Sequence, residues 1–224
     1  AHNIQNQKAM PKIDIQTQKD HIKNFEKEHP KYDVFANTLK KILEKAADLY
    51  APLGVVQARA KSISSFSEKI IRKDKYIDPL EEVTDLCGAR IICHFADQVD
   101  KICAFIRKNF EVDELNSLDV KSRLNVGEFG YRSVHYIVTP RQATILGVNI
   151  PQELWSLKAE IQVRTFNEHI WADVFHDRIY KTPIEIPSEW KREAARLAAI
   201  LENADNSFLK MSGIIDQLTI NYLA

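Results

Sequence analysis

Glycine is scarce in this chain. Six glycines occur among 224 residues, and none falls in a G-x-x-x-x-G-K-[ST] or G-x-G-x-x-G pattern. A backbone cradle for nucleotide phosphates is therefore absent, and any phosphate site must take its positive charge from side chains. Net charge is missing too, since 31 basic side chains meet 31 acidic ones. That balance argues against coating nucleic acid by bulk charge, although it leaves room for a local basic cleft. The three cysteines, Cys87, Cys93 and Cys103, are odd in number and lack CxxC spacing. They read as reduced, buried thiols of a cytosolic protein rather than as a disulfide framework or a metal site. No apolar run approaches the roughly 20 residues of a membrane span. The opening "AHNIQNQKAM" lacks the apolar segment of a signal peptide. The expected location is the cytoplasm, with no membrane partner. Internal repeats and low-complexity tracts are absent as well.

What is present suffices for a sizeable core, because 45% of the residues are apolar. Residues 17–29 and 33–50 carry apolar side chains at helical spacing, and Pro52-Leu53-Gly54 ends the second run. "SSFSEKIIRK" predicts a short helix introduced by serines. "GARIICHF" (88–95) predicts a largely buried strand, and "DQVDKICAFIRKNF" (97–110) a helix. "SVHYIVTP" and "KAEIQVRT" predict strands on either side of a turn-rich segment, 139–156. Helix returns in "NEHIWADVFHDRIYK" and again from Ser188 to about Leu223. The pattern implies an α+β (α/β-like) fold with a central mixed β-sheet flanked by helices. The expected organisation is an N-terminal helical extension (1–54), a catalytic core (55–182) and C-terminal helices packed on it (183–224).

Five segments carry residues suited to chemistry. "RAKSISSFSEKIIRK" gathers Arg59, Lys61, Lys69, Arg72 and Lys73 among serine hydroxyls that include Ser65. A solvated helix with ordinary lysines would look the same. "TDLCGARII" sets Asp85 before an apolar strand, where a turn residue would also serve. Arg90 lies inside that strand, and an unpaired buried guanidinium there would be costly, so it needs a polar face or a partner. "EFGYRSVHYIV" brings Tyr131, Arg132 and His135 together behind Gly130. In "KAEIQVRT" the strand period turns Glu160, Gln162 and Arg164 to one face and Ile161 and Val163 to the other. That polar row faces either water or a substrate. "WADVFHDRIYK" offers Trp171, His176, Tyr180 and Lys181, with core packing enough to explain Trp171.

Taken in order, R-x-K-x-x-x-S-x-x-x-K, D-x-x-G-x-R, G-Y-R-S-x-H, E-I-Q-V-R-T and W-A-x-x-x-H-x-x-x-Y-K resemble the synthetase domain of RelA/SpoT-type alarmone synthetases. The chain length resembles the small single-domain members of that family. The resemblance implies a nucleotidyltransferase-like synthetase domain. It would transfer the β,γ-pyrophosphoryl group of ATP to the ribose 3′-hydroxyl of GDP or GTP, using Mg²⁺. It implies that Arg59 and Arg90 sandwich the adenine, while Lys61, Ser65 and Lys69, with Arg72, hold the ATP phosphates. Asp85 and Glu160 would hold Mg²⁺, and Glu160 with Gln162 would orient or deprotonate the attacking hydroxyl. On the acceptor side it implies Tyr131 stacked on the base, joined by Arg132, His135, Arg164, His176 and Lys181.

The resemblance has two gaps. The family commonly places basic residues just before Gly130-Tyr131 to meet the acceptor's 5′ phosphates, where this chain has Glu128 and Phe129. Lys121 and Arg123, further upstream, are the nearest candidates for that contact. Phe175 stands where many members have Glu before the motif histidine. Relatives that pyrophosphorylate the tRNA 3′ end or adenine nucleotides as toxins therefore remain an alternative. Lys19, Lys23, Lys27 and Lys31, every four residues on one helix face, are then a candidate docking row. A catalytically inactive nucleotide-binding module is the third reading. Family likeness also raises a homo-oligomer, such as a tetramer, or an antitoxin as partner.

Overall fold

The computed structural model describes residues 13–119, 128–130, 132–176 and 187–223. Helix α1 (Ile15–Tyr50) starts at Asp14, whose side chain accepts a hydrogen bond from the Thr17 N–H. It runs unbroken through Pro30, so the two helices expected here are one. A proline inside a helix loses one hydrogen bond and costs about 3 kcal/mol. Phe25 before it and Tyr32, Phe35 and Leu39 after it are all buried in a single core. Each such burial contributes roughly 1.5–3 kcal/mol, which outweighs the proline. At Gly54 a Cβ would stand 2.8 Å from the Ala51 carbonyl oxygen, and this close turn leads straight into β1 (Val55–Ala60).

The chain continues through α2 (Ile63–Lys73), α3 (Pro79–Glu82), β2 (Cys87–Cys93) and α4 (Ala96–Asn109). Strands β3 (Phe110–Val112), β4 (Leu118–Asp119) and β5 (Val134–Pro140) come next, followed by a small hairpin of β6 (Thr144–Ile145) and β7 (Val148–Asn149). After β8 (Ala159–Thr165), helix α5 (Phe166–Trp171) passes into a π-helical turn, Ala172–His176, and α6 (Ser188–Leu223) closes the chain. The main sheet has the order β1-β2-β8-β5-β3, with β4 also paired to β5. Among the described residues only β2 and β8 run parallel. The expected central mixed sheet flanked by helices is thus present. Strand β1 is an addition, since Ala58 and Ala60 dilute the β-branched pattern that marks a strand in the sequence.

The two faces of the sheet have different work. Ala89, Ile91, Ile161, Val163 and Tyr136 point into the core, which α1 and α4 cover. By register, Gln57, Arg59, Gly88, Arg90, Glu160, Gln162, Arg164 and His135 lie on the opposite face. The inner half of α6 packs Ala194 and Ala198 against Trp171. Buried Asp205 anchors it, accepting from Thr165 Oγ1 at 2.8 Å and Asn167 Nδ2 at 2.9 Å. Beyond Asp205 the helix exposes Phe208, Met211, Ile215, Leu218 and Tyr222. The three thiols are unpaired, and burial pushes Cys87 and Cys93 up to about 12. Among the described residues no helix is long and apolar enough to cross a membrane.

Candidate active site

The polar face of the sheet forms the floor of an open cleft of about 600 Å³, lined by β1, β2, β8 and the residues after β1. Register explains which side chains gather there. Arg59 stands opposite Gly88, and Gly88 opposite Glu160, so the missing side chain at 88 opens space between a guanidinium and a carboxylate. Arg90 stands opposite both Gln57 and Gln162. Arg59 and Arg90 are therefore diagonal neighbours, a relation that separates residues by about 7–8 Å, enough for one planar ring between two guanidiniums.

Asp85, in the turn before β2, lies between two lysines. Lys61 Nζ donates to Oδ2 at 2.8 Å and Lys69 Nζ to Oδ1 at 2.7 Å. Burial works to raise the Asp85 carboxyl, but the two ammonium groups prevail and hold it below its ordinary value. Lys61 leaves the end of β1, whereas Lys69 projects from α2, whose first turn is capped by the Ser62 hydroxyl accepting from the Ser65 N–H. Ser62 and Ser65 both line the cleft.

Glu160 differs from Asp85 in one respect. His135 Nδ1 lies 2.5 Å from Oε1, and Gln162 Nε2 donates to the same oxygen at 3.4 Å. Among the described residues, Oε2 carries no hydrogen bond. Burial raises the Glu160 carboxyl and the His135 contact lowers it; the net shift is downward. Nearby Asp85 opposes that shift, as expected of two carboxylates sharing one site.

The structure thus gathers Arg59, Lys61, Ser65, Lys69, Asp85, Arg90, His135, Glu160 and Gln162 at one place. Other candidates do not join them. Arg164 is 2% exposed and faces Asp173 Oδ1 at 3.9 Å, because the π-helical turn covers the third position of the polar row. Arg132 turns toward α6 and meets Glu202 at 3.0 Å and Glu168 at 4.0 Å, sharing a side of the sheet with Val134 and Tyr136. Arg72 is exposed on α2, almost a turn past Lys69, and does not line the cleft. Tyr131, Lys121, Arg123 and Lys181 lie outside the described residues, as does the side chain of His176.

Three lining residues escaped the motifs: Gln57, Ser62 and Asp173. Gln57 was marked by alternation with Arg59, the same period that marks β8. Asp173 lies 3.4 Å from His169 and 4.0 Å from Arg90, and only its place four residues after His169 hinted at the pairing. Phe175 stacks on Trp171 with centroids 5.6 Å apart, so this position belongs to the α5–α6 core.

The model of a region found in RelA / SpoT proteins matches residues 58–185, more than half of the chain. The chain belongs to the RelA/SpoT family. Among relatives, GTP pyrophosphokinase YjbM of Bacillus subtilis (strain 168) is 29% identical over 172 residues, 76% of this chain and 77% of that protein. The small alarmone synthetase 1 from Bacillus subtilis bound to its product pppGpp aligns with a TM-score of 0.66 at 27% identity, covering 86% of this chain and 98% of that one. The same synthetase bound to AMPCPP gives a TM-score of 0.61 at 26% identity, over 87% and 99%. Within the RelA/SpoT match fall all five sequence motifs, including the carboxylates of Asp85 and Glu160.

Proposed function

We propose that this protein is a cytoplasmic GTP pyrophosphokinase that moves the pyrophosphoryl group of ATP onto the 3′-hydroxyl of GDP or GTP, yielding the alarmone (p)ppGpp. The observation that carries this reading is the meeting of Asp85 and Glu160 in one cleft, beside two lysines and two arginines. The likeness to a synthetase with pppGpp bound supports it.

On this reading Arg59 and Arg90 hold the adenine between their planes. Lys61, Lys69 and Ser65 take the triphosphate, which fixes the β-phosphorus for in-line attack, with AMP departing on the opposite side. The donor set suits Mg²⁺: among the described residues no three His, Cys, Asp or Glu groups form a protein cage. Two carboxylates completed by phosphate oxygens match the way that ion is held. When bound, it would neutralise charge building on the transferred group. Glu160 accepts the proton of the 3′-hydroxyl, kept in position by His135 and Gln162 on its other oxygen.

A second reading has specific support. Arg132 and Arg164 are engaged elsewhere, and Glu128 and Phe129 bring no positive charge to the acceptor side. An acceptor with fewer phosphates there, such as the tRNA 3′ end, fits that surface. Lys19, Lys23, Lys27 and Lys31 are all exposed on α1 and suit a polyanion. The deciding experiment offers γ-labelled ATP and Mg²⁺ with GDP, GTP, ADP or deacylated tRNA. Label on GDP or GTP is the expected result. Label confined to tRNA or ADP would move the assignment to the second reading, and no transfer at all would leave a binding module.

A further inference from the structure

We propose that Asp85 is a placeholder for the nucleotide: in the free protein it occupies Lys61 and Lys69, and the arriving triphosphate releases it for the divalent cation by taking both lysines. This rests on the reading of the cleft as an ATP site, and adds an order and a coupling to it.

Both oxygens of Asp85 are used, one by each ammonium, at 2.8 and 2.7 Å. The three residues come from three elements, and their side chains are only 17–25% exposed. Glu160, in the same cleft, is held on one oxygen only. A dication approaching the free protein thus meets one half-available carboxylate and, in Asp85, one whose two oxygens each already hold an ammonium. Taking Asp85 away from the lysines would leave two partly buried ammonium groups without a counter-ion, which is unfavourable.

Local charge works the same way. Arg59, Lys61, Lys69 and Arg90 face three carboxylates, those of Asp85, Glu160 and Asp173. Nothing in that balance draws a small dication that sheds its water reluctantly. A triphosphate changes both terms at once, because its oxygens replace Asp85 on the lysines and supply further ligands. Cation and nucleotide therefore assist one another, and by reciprocity each raises the affinity of the other by the same factor. The unexpected corollary concerns Asp85 itself. Without the cation, its carboxylate competes with phosphate for Lys61 and Lys69, so it opposes nucleotide binding.

Two measurements test this, one of which needs no variant. Electron paramagnetic resonance with Mn²⁺ on the wild-type protein should detect no site tighter than about 1 mM without nucleotide, and a clearly tighter one with AMPCPP. Micromolar Mn²⁺ binding to the free protein would overturn the proposal. Calorimetry with AMPCPP in EDTA should show Asp85→Asn binding roughly tenfold tighter than wild type. Adding Mg²⁺ should then help wild type and barely help the variant. Equal or weaker metal-free binding by a folded Asp85→Asn protein would also overturn it. If wild type fails to bind AMPCPP even with Mg²⁺, the ATP reading of the cleft fails first, and the exchange with it.

Discussion

Changing Glu160 to Gln keeps the shape of the side chain and removes its ability to take a proton. Turnover is expected to fall by at least about 100-fold, while AMPCPP is retained within about tenfold. Single-turnover assays beside calorimetry separate the two effects, and near-normal turnover would remove Glu160 from the chemistry. Asp85 gives a pH prediction. Its carboxyl is lowered in the folded state, so its stabilising contribution is present above the ordinary value of 3.8 and fades as pH falls through the lowered one. The melting-temperature gap between wild type and Asp85→Asn should stay constant from about pH 8 to 5 and close only in stronger acid. At this scale the alternation of Glu160 and Gln162 with Ile161 and Val163 already told which side chains leave the core. It did not tell that Arg164, on the same row, is roofed by Asp173, because that depends on a π-helical turn with no mark in local sequence. Arg132 is a related case: its motif neighbours His135 and Gly130 say nothing about the carboxylates of Glu168 and Glu202, which come from helices that follow.

Helix α1 carries its proline against local preference. Pro30 is exposed within the helix, and Pro30→Ala restores an N–H to the ladder. The variant should be more stable by roughly 1–3 kcal/mol, read as a higher Tm in calorimetry, with activity unchanged. Asp205 makes the opposite case. It joins α6 to the end of β8 through Thr165 and Asn167, so Asp205→Ala leaves buried polar groups unmatched and should lower stability by about 1–3 kcal/mol. Periodicity sufficed for α4, β2, β5 and β8, where burial and alternation agree. It failed at Pro30 and at β1, where packing against distant residues overrides what neighbours along the chain prefer.

Across the molecule, order is tied to the sheet and its helical cover, and α6 departs from both beyond Asp205. Phe208, Met211 and Leu218 are each more than half exposed there. Limited chymotrypsin digestion should cut in that stretch before it reaches Phe25, Phe35 or Phe66, all fully buried, with mass spectrometry locating the first cleavage. The overall architecture was legible because helix and strand periods alternate along the chain, whereas the length of helix left uncovered was not. The lone parallel pairing of β2 with β8 has a consequence for synthesis. Parallel neighbours need a long crossover, and here the chain from His94 to Lys158 must be made before Glu160 is laid beside Gly88 of β2. A polypeptide still emerging from the ribosome and short of β8 therefore lacks the strand that carries Glu160 and Gln162 into the cleft. The cleft cannot be complete until synthesis has passed Asp173.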